Sequence, residues 1–239
     1  MNAIMKLNDP DAYRTCTEGD VIREHLELGG KRILELGCGA AWMTRLLVEQ
    51  FQPAELVATE VDRIQHQKNL AIDDLPQVRF RYGGAEAIEA EDGSFDAVFM
   101  FKSLHHVPPE LMDQAMGEIH RVLRPGGLAY FSEPVYWGDF NALLSLFHDE
   151  QAVRQLAFNA LQRAVESSRF ESRAQVFFQV PGSYASWEIF EQRFIQVTHT
   201  EHRLPKELYE RVKTAFLTHM TANGAQFLKP QRADILRRL

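Results

Sequence analysis

The sequence predicts an α/β protein: a doubly wound, mostly parallel sheet covered by helices. Three observations carry this. Short apolar segments alternate with segments of helical period through residue 135, the pattern of successive βαβ units. Phe95-Asp96-Ala97-Val98-Phe99-Met100-Phe101 is nearly all apolar, as a central parallel strand with helices on both sides must be. Ile33-Leu34-Glu35-Leu36 runs through Gly37-Cys38-Gly39 into Met43-Thr44-Arg45-Leu46-Leu47-Val48, a strand that turns through glycines into a helix.

The elements follow in order. Residues 18–28 carry Val21, Ile22, His25, Leu26 and Leu28 at helical spacing, and Gly29-Gly30 ends that helix. Residues 31–36 form the first strand, and the helix over 43–51 closes before Pro53. Residues 55–62 read as the second strand and 63–72 as the helix behind it. Val78-Arg79-Phe80-Arg81-Tyr82 alternates faces, as a third strand does. The fourth strand is 95–101. Over 109–123, Leu111, Met112, Ala115, Met116, Ile119, Val122 and Leu123 fall on one helical stripe. Arg124-Pro125-Gly126-Gly127 breaks that helix before a fifth strand at 128–131.

After Pro134 the pattern changes. Residues 141–170 form a long helical stretch, Val180-Pro181-Gly182-Ser183 a turn, and 186–190 the start of a short helix. Residues 194–200 read as a sixth strand and 205–220 as a helix. The last strand is expected over 226–228 and 233–236, interrupted by Pro230.

Composition narrows the function. The 239 residues, 45% hydrophobic and 25% charged, fit one globular domain. No apolar run approaches the length of a membrane span, and the N-terminus lacks a signal-peptide core, so no membrane role is expected. Cys16 and Cys38 make neither a disulfide framework nor a metal-ligand spacing, and a reducing cytoplasm is the expected location. A net charge of −7 argues against a nucleic acid partner. Arg232, Arg237 and Arg238 are the best basic patch on offer, read as exposed and solvated.

The glycine turn carries the chemistry. It places backbone N–H groups and a positive helix end beside a ligand, and a Cβ would block close approach. Glu35 just before it repels phosphate and suits a cationic group such as an amino acid ammonium. Glu60, about 20 residues on at the end of the second strand, can accept bonds from both hydroxyls of a ribose; a solvated strand-end acid is the alternative, and Asp62 the fallback.

Glu35-Leu36-Gly37-Cys38-Gly39-Ala40-Ala41 resembles the E-x-G-x-G-x-G motif of the class I S-adenosylmethionine (SAM)-dependent methyltransferases, with Ala41 at the last glycine. Gly83-Gly84-Ala85-Glu86 is similar to the family's G-D-A-E segment, with Gly84 in place of the acid that meets the adenine amino group. Asp92-Gly93-Ser94-Phe95-Asp96-Ala97-Val98 and Arg121-Val122-Leu123-Arg124-Pro125-Gly126-Gly127 resemble the family's segments around the fourth and fifth strands. The resemblance covers residues 31–135 and implies a seven-stranded Rossmann-like sheet. It also implies a helical cap after the fifth strand and SAM as cofactor, with S-adenosylhomocysteine as product. The chain then divides into an N-terminal helical lid (1–30), the SAM-binding core (31–135), a cap for the substrate pocket (136–192) and C-terminal strands and helix completing the sheet (193–239).

The cofactor residues so implied are Tyr13, Glu35, Gly37, Cys38, Gly39, Glu60, Val61, Gly84, Ala85, Glu86 and Lys102, with Arg14 able to pair with the methionine carboxylate. His105 and His106, after the fourth strand, are candidate bases, since histidine titrates near neutrality; one of them bonding loop backbone is the plainer reading. Glu133, ending the fifth strand, faces the acceptor or bonds neighbouring backbone. Tyr136, Trp137, Phe140, Tyr184 and Trp187 are the expected pocket walls, or else cap core. No metal is expected: His148, Asp149 and Glu150 are consecutive and do not share a helix face. The expected activity is methyl transfer to an O or N atom of a small, flat or aromatic metabolite, by a monomer or homodimer. A non-catalytic SAM- or partner-binding module is the alternative. A nicotinamide-dependent oxidoreductase is disfavoured, because G-x-G-x-x-G needs glycine where Trp42 stands.

Overall fold

The computed structural model describes residues 4–196 and 204–239. Its strands, in chain order, are β1 (Arg14–Thr15), β2 (Arg32–Leu36), β3 (Glu55–Glu60), β4 (Val78–Tyr82), β5 (Phe95–Phe101), β6 (Leu123–Pro134), β7 (Phe170–Tyr184), β8 (Met220–Thr221) and β9 (Gly224–Arg238). The helices are α1 (Glu18–His25), α2 (Trp42–Phe51), α3 (Arg63–Asn69), α4 (Met112–Val122), α5 (Gly138–Ser145), α6 (Gln151–Glu166), α7 (Trp187–Phe194) and α8 (Lys206–Leu217).

All strands join one sheet in the order β1-β7-β9-β6-β5-β2-β3-β4, with β8 on β9. From β2 to β6 every neighbour is parallel; β9 runs antiparallel between β6 and β7. β2–β7 and β9 are the longer strands; β1 and β8 have two residues each. β2 pairs with β3 on one side and β5 on the other, so the chain reverses its winding there. Such a switch point leaves a crevice beyond the carboxyl ends of the strands.

The core follows strand alternation. Leu34, Leu36, Val98, Met100 and Phe131 face α4 and α6, where Met116, Ile119 and Leu161 meet them. Ile33, Ala58, Phe99 and Tyr130 face α1 and α2, against Val21, Ile22 and Leu47. A third cluster joins α5, α7 and α8 to the ends of β7 and β9 through Phe140, Tyr184, Trp187, Phe190, Phe216 and Phe227. Burying each of these rings contributes roughly 1.5–3 kcal/mol. Among the described residues no helix is long and apolar enough to cross a membrane.

The second half departs from the expectation. The segment 136–192 is not a helical cap throughout: α5, α6 and α7 are helical, but β7 occupies 170–184 and contains the supposed turn at 180–183. Pro181 is tolerated because β7 there has β9 alone as a ladder neighbour; β1 pairs only with Phe178 and Gln179. β7 is a strand the sequence reading did not expect; of the strand expected at 194–200, Phe194 instead ends α7, and 197–200 lie outside the described residues. Pro230 does not interrupt the last strand. It lies just past the end of the β6 ladder, at Gln231↔Pro134, so its missing N–H faces no strand on that side. Nor are the C-terminal arginines an exposed patch: Arg232 is 2% exposed inside β9, Arg237 pairs with Glu171 at 2.5 Å, and Arg238 donates to the Leu123 carbonyl.

Candidate active site

The glycine turn joins β2 to α2. Gly37 has a φ of +72°, and a Cβ there would stand 2.8 Å from Cβ of Ser103, so only glycine fits. The amides of Gly37 and Cys38 donate to the Thr59 carbonyl at 3.0 and 2.9 Å, tying the turn to the end of β3. The Gly39 amide donates to Glu60 Oε2 at 2.7 Å, and Glu60 Oε1 accepts from Val61 and Asp62 amides, both at 2.8 Å. Three backbone donors thus aim the Glu60 carboxylate into the crevice beside the turn. Asp62 is spent elsewhere, capping α3 through the amides of Ile64 and Gln65.

Glu35 is 1% exposed and accepts the Thr44 hydroxyl at 2.6 Å. Burial pushes its carboxyl up to about 8 against that bond, with Glu60 adding repulsion. Cys38 fills the turn, and burial pushes its thiol up as well. Beside β4, Ala85 is buried, and the Glu86 carboxylate curls into the space a side chain at Gly84 would need. Val61 is 56% exposed at the crevice rim.

After β5 the chain turns through Lys102, which takes the left-handed φ of +54° and donates its amide to Ser132 at 2.7 Å. Glu18, at the start of α1, accepts the Tyr130 hydroxyl at 2.6 Å and the Ser132 hydroxyl at 3.0 Å, over β6. Burial raises its carboxyl, and Lys102 opposes the shift. Sequence reading missed Glu18; the available signal was its place one residue after Thr17, inside the Thr17–Asp20 capping box. Tyr13 stacks on Trp137 at 4.8 Å and donates to Asn8 at 2.9 Å. Arg14 does not reach the crevice, because it is paired with Glu24 at the surface.

His105 and His106 lie in a short 3-10 turn, Leu104–His106. His105 is buried; its Nδ1 bonds Glu133, and its Nε2 stands 3.5 Å from Glu150 Oε1. Burial disfavours the charged ring, yet Glu133 and Glu150 outweigh it and push His105 up to about 9. Glu133 also accepts the Leu104 amide at 3.0 Å and stays below the ordinary carboxylate range. Both carboxylates thus favour the protonated ring, which speaks against His105 as a base. His106 is exposed, its ring 4.1 Å from that of His105.

Of the aromatic walls expected, Trp137 lines a cavity of about 560 Å³ together with Gln179, Pro181, Phe227 and Leu228. Tyr136 is half-buried in the same loop. Phe140, Tyr184 and Trp187 are instead core: Phe140 stacks on Tyr184 at 6.0 Å, and Trp187 donates to the Tyr209 hydroxyl at 2.8 Å. Packing against α7 and α8 consumes their faces.

A family model described as methyltransferase domain matches residues 33–127. A phthiotriol/phenolphthiotriol dimycocerosates methyltransferase of Mycobacterium ulcerans is 33% identical over 109 residues, 46% of this chain and 40% of that one. An uncharacterised methyltransferase of Mycobacterium tuberculosis is 37% identical over 102 residues, 43% of this chain and 39% of that one. The chain thus spans about two fifths of the length of these curated relatives. Among solved structures, the YcgJ protein of Bacillus subtilis superposes with a TM-score of 0.63 at 18% identity, over 92% of this chain and 97% of that one. The [4+2]-cyclase SpnF gives 0.57 at 19% identity, over 92% and 79%. At these identities the structural likeness speaks for the fold alone.

Proposed function

We propose that this protein is a methyltransferase, since residues 33–127 match a methyltransferase-domain family model and the chain carries the class I fold. It transfers the methyl group of SAM to an O or N atom of a small, flat metabolite. The observation that carries this is the meeting of Glu60 with the Gly39 amide at the switch point of the sheet. A carboxylate held there by backbone donors suits a ribose diol.

The residues fit that cofactor. Glu60 takes the ribose hydroxyls, and Gly37, Cys38 and Gly39 let the backbone approach. Val61 covers the adenine, while the Ala85 amide and the Glu86 carboxylate meet its edge. Lys102 and Tyr13 close the crevice from above. When bound, SAM supplies a sulfonium methyl whose leaving thioether is neutral. The chain's own task is then to hold the acceptor in line and keep water out. Trp137 and the cavity beside it offer a flat apolar wall for that acceptor. Glu133 positions His105, and a proton on the acceptor leaves to solvent.

A binding module without transfer is the second reading, favoured by the engagement of His105 at both ring nitrogens. Calorimetric titration with S-adenosylhomocysteine, with NAD as control, tests the cofactor on wild type and Glu60→Ala. Micromolar binding of the first ligand alone is expected. It should weaken about 30-fold in the variant, the loss of about 2 kcal/mol of charge-assisted bonding. A folded wild type that ignores S-adenosylhomocysteine sinks the reading. Phenols, amines and phthiotriol, the last from the relative's name, are the acceptors to assay next; binding without turnover on any of them would favour the module.

A further inference from the structure

We propose that His105, His106 and Glu150 form a site for a divalent metal ion of the zinc type. Their donor atoms all lie within 4.8 Å of one another, although they come from two elements far apart in sequence. The histidines sit in the turn after β5 and Glu150 immediately precedes α6. His105 Nε2 and Glu150 Oε1 are 3.5 Å apart. Metal–ligand bonds of about 2.0–2.1 Å in a tetrahedral site put neighbouring donors about 3.3 Å apart, so this pair already spans one edge.

The surroundings orient the donors. Glu133 holds Nδ1 of His105, which fixes the ring and directs Nε2 at Glu150. A carboxylate behind a histidine is the arrangement that sets tautomer and aim in metal sites. Arg154 occupies Glu150 Oε2 at 2.6 Å and is itself held by Asn141 at 2.7 Å. Glu150 is thereby left with Oε1 as a single donor. His148 Nε2 stands 2.9 Å from that oxygen but outside the three-donor group, so water is left to complete the coordination. Two histidines and one carboxylate are a donor set suited to zinc with a position open. Where no metal binds, a proton on His105 bridges the two carboxylates; metal replaces it and the proton passes to solvent.

Metal binding is read without cofactor or acceptor, so its failure is separable from failure of the methyl-transfer reading. Chelator-treated full-length protein is titrated with Co²⁺, following visible absorption, and then with Zn²⁺ in competition. One equivalent of Co²⁺ with the intense absorption of a four-coordinate site, displaced by Zn²⁺, is expected. His106→Ala and Glu150→Gln should each weaken it tenfold or more, and Glu133→Gln, through His105, 10–100-fold. His106 is exposed, so His106→Ala keeps the test sound if Glu150→Gln fails to fold. No stoichiometric binding by folded wild type overturns the proposal. So does binding that survives His106→Ala unchanged, which would place the ion elsewhere.

Discussion

Glu35 is held in the crevice at an electrostatic cost. A carboxyl pushed up to about 8 binds its proton more tightly in the folded chain than in the unfolded one, where its value is 4.5. Its favourable contribution is complete below 4.5 and is lost as pH rises toward 8. Glu35→Gln keeps a partner for Thr44 and cannot ionise. The stability of the variant relative to wild type should therefore rise by on the order of 2 kcal/mol between pH 5 and pH 8. Urea unfolding of both proteins at the two pH values measures it; a constant difference would mean that Glu35 does not titrate in that window. An ammonium bound beside Glu35 would draw the same proton off.

At the scale of elements, helix α2 begins in strain. Ala41 is its N-cap, at φ 60° and ψ 25°, with no side-chain bond to the first turn. The left-handed region costs an L-residue roughly 1–2 kcal/mol, part of which glycine returns through its greater freedom in the unfolded chain. Ala41→Gly should stabilise the protein by about 0.5–1 kcal/mol, read as a higher urea midpoint at unchanged slope. A lower midpoint would show that the methyl group, 3% exposed, packs better than its backbone strains.

Elements also mark where the sequence is legible. Over 31–135 each strand is a local apolar run and each helix a local stripe, so Val78–Tyr82 and Phe95–Phe101 are found with their observed bounds. β7 is not found, because its residues alternate poorly and most are only half-buried. Its strand state is conferred by β9, far along the chain. The cofactor half of the site is legible because Glu35, Gly37 and Glu60 sit at strand ends. The Glu18 contact with β6 and the approach of Glu150 to His105 are not. Both depend on helices docking across the sheet, which no local spacing records.

The whole molecule is tied together through one buried cluster. Asp234 is fully buried in β9 and accepts from Arg232 and from Gln175 of β7, both at 2.6 Å. Arg232 also donates to the Leu7 carbonyl at 3.1 Å and lies 4.4 Å over the Phe158 ring of α6. One guanidinium thus links the N-terminal segment, the sheet and a helix. Asp234→Asn leaves that charge buried with weaker compensation, and about 3 kcal/mol of stability should be lost. Faster hydrogen exchange should follow over residues 4–15. A loss below about 1 kcal/mol would mean that Glu133, which also feels Arg232, carries the charge alone.

The placement of β9 between β6 and β7 sets an order of events during synthesis. Translation proceeds at roughly 5–20 residues per second, and units fold as they emerge. The β2–β6 half can close on itself early, since its neighbours are parallel and already made. β7 has no ladder partner in that half and reaches it only through β9. Until β9 has left the ribosome, β7, a ribbon of 15 residues, has only the two-residue β1 beside it, and the outer edge of β6 is bare. That interval is when this chain is most exposed to pairing with another nascent copy, and when a chaperone would have most to hold.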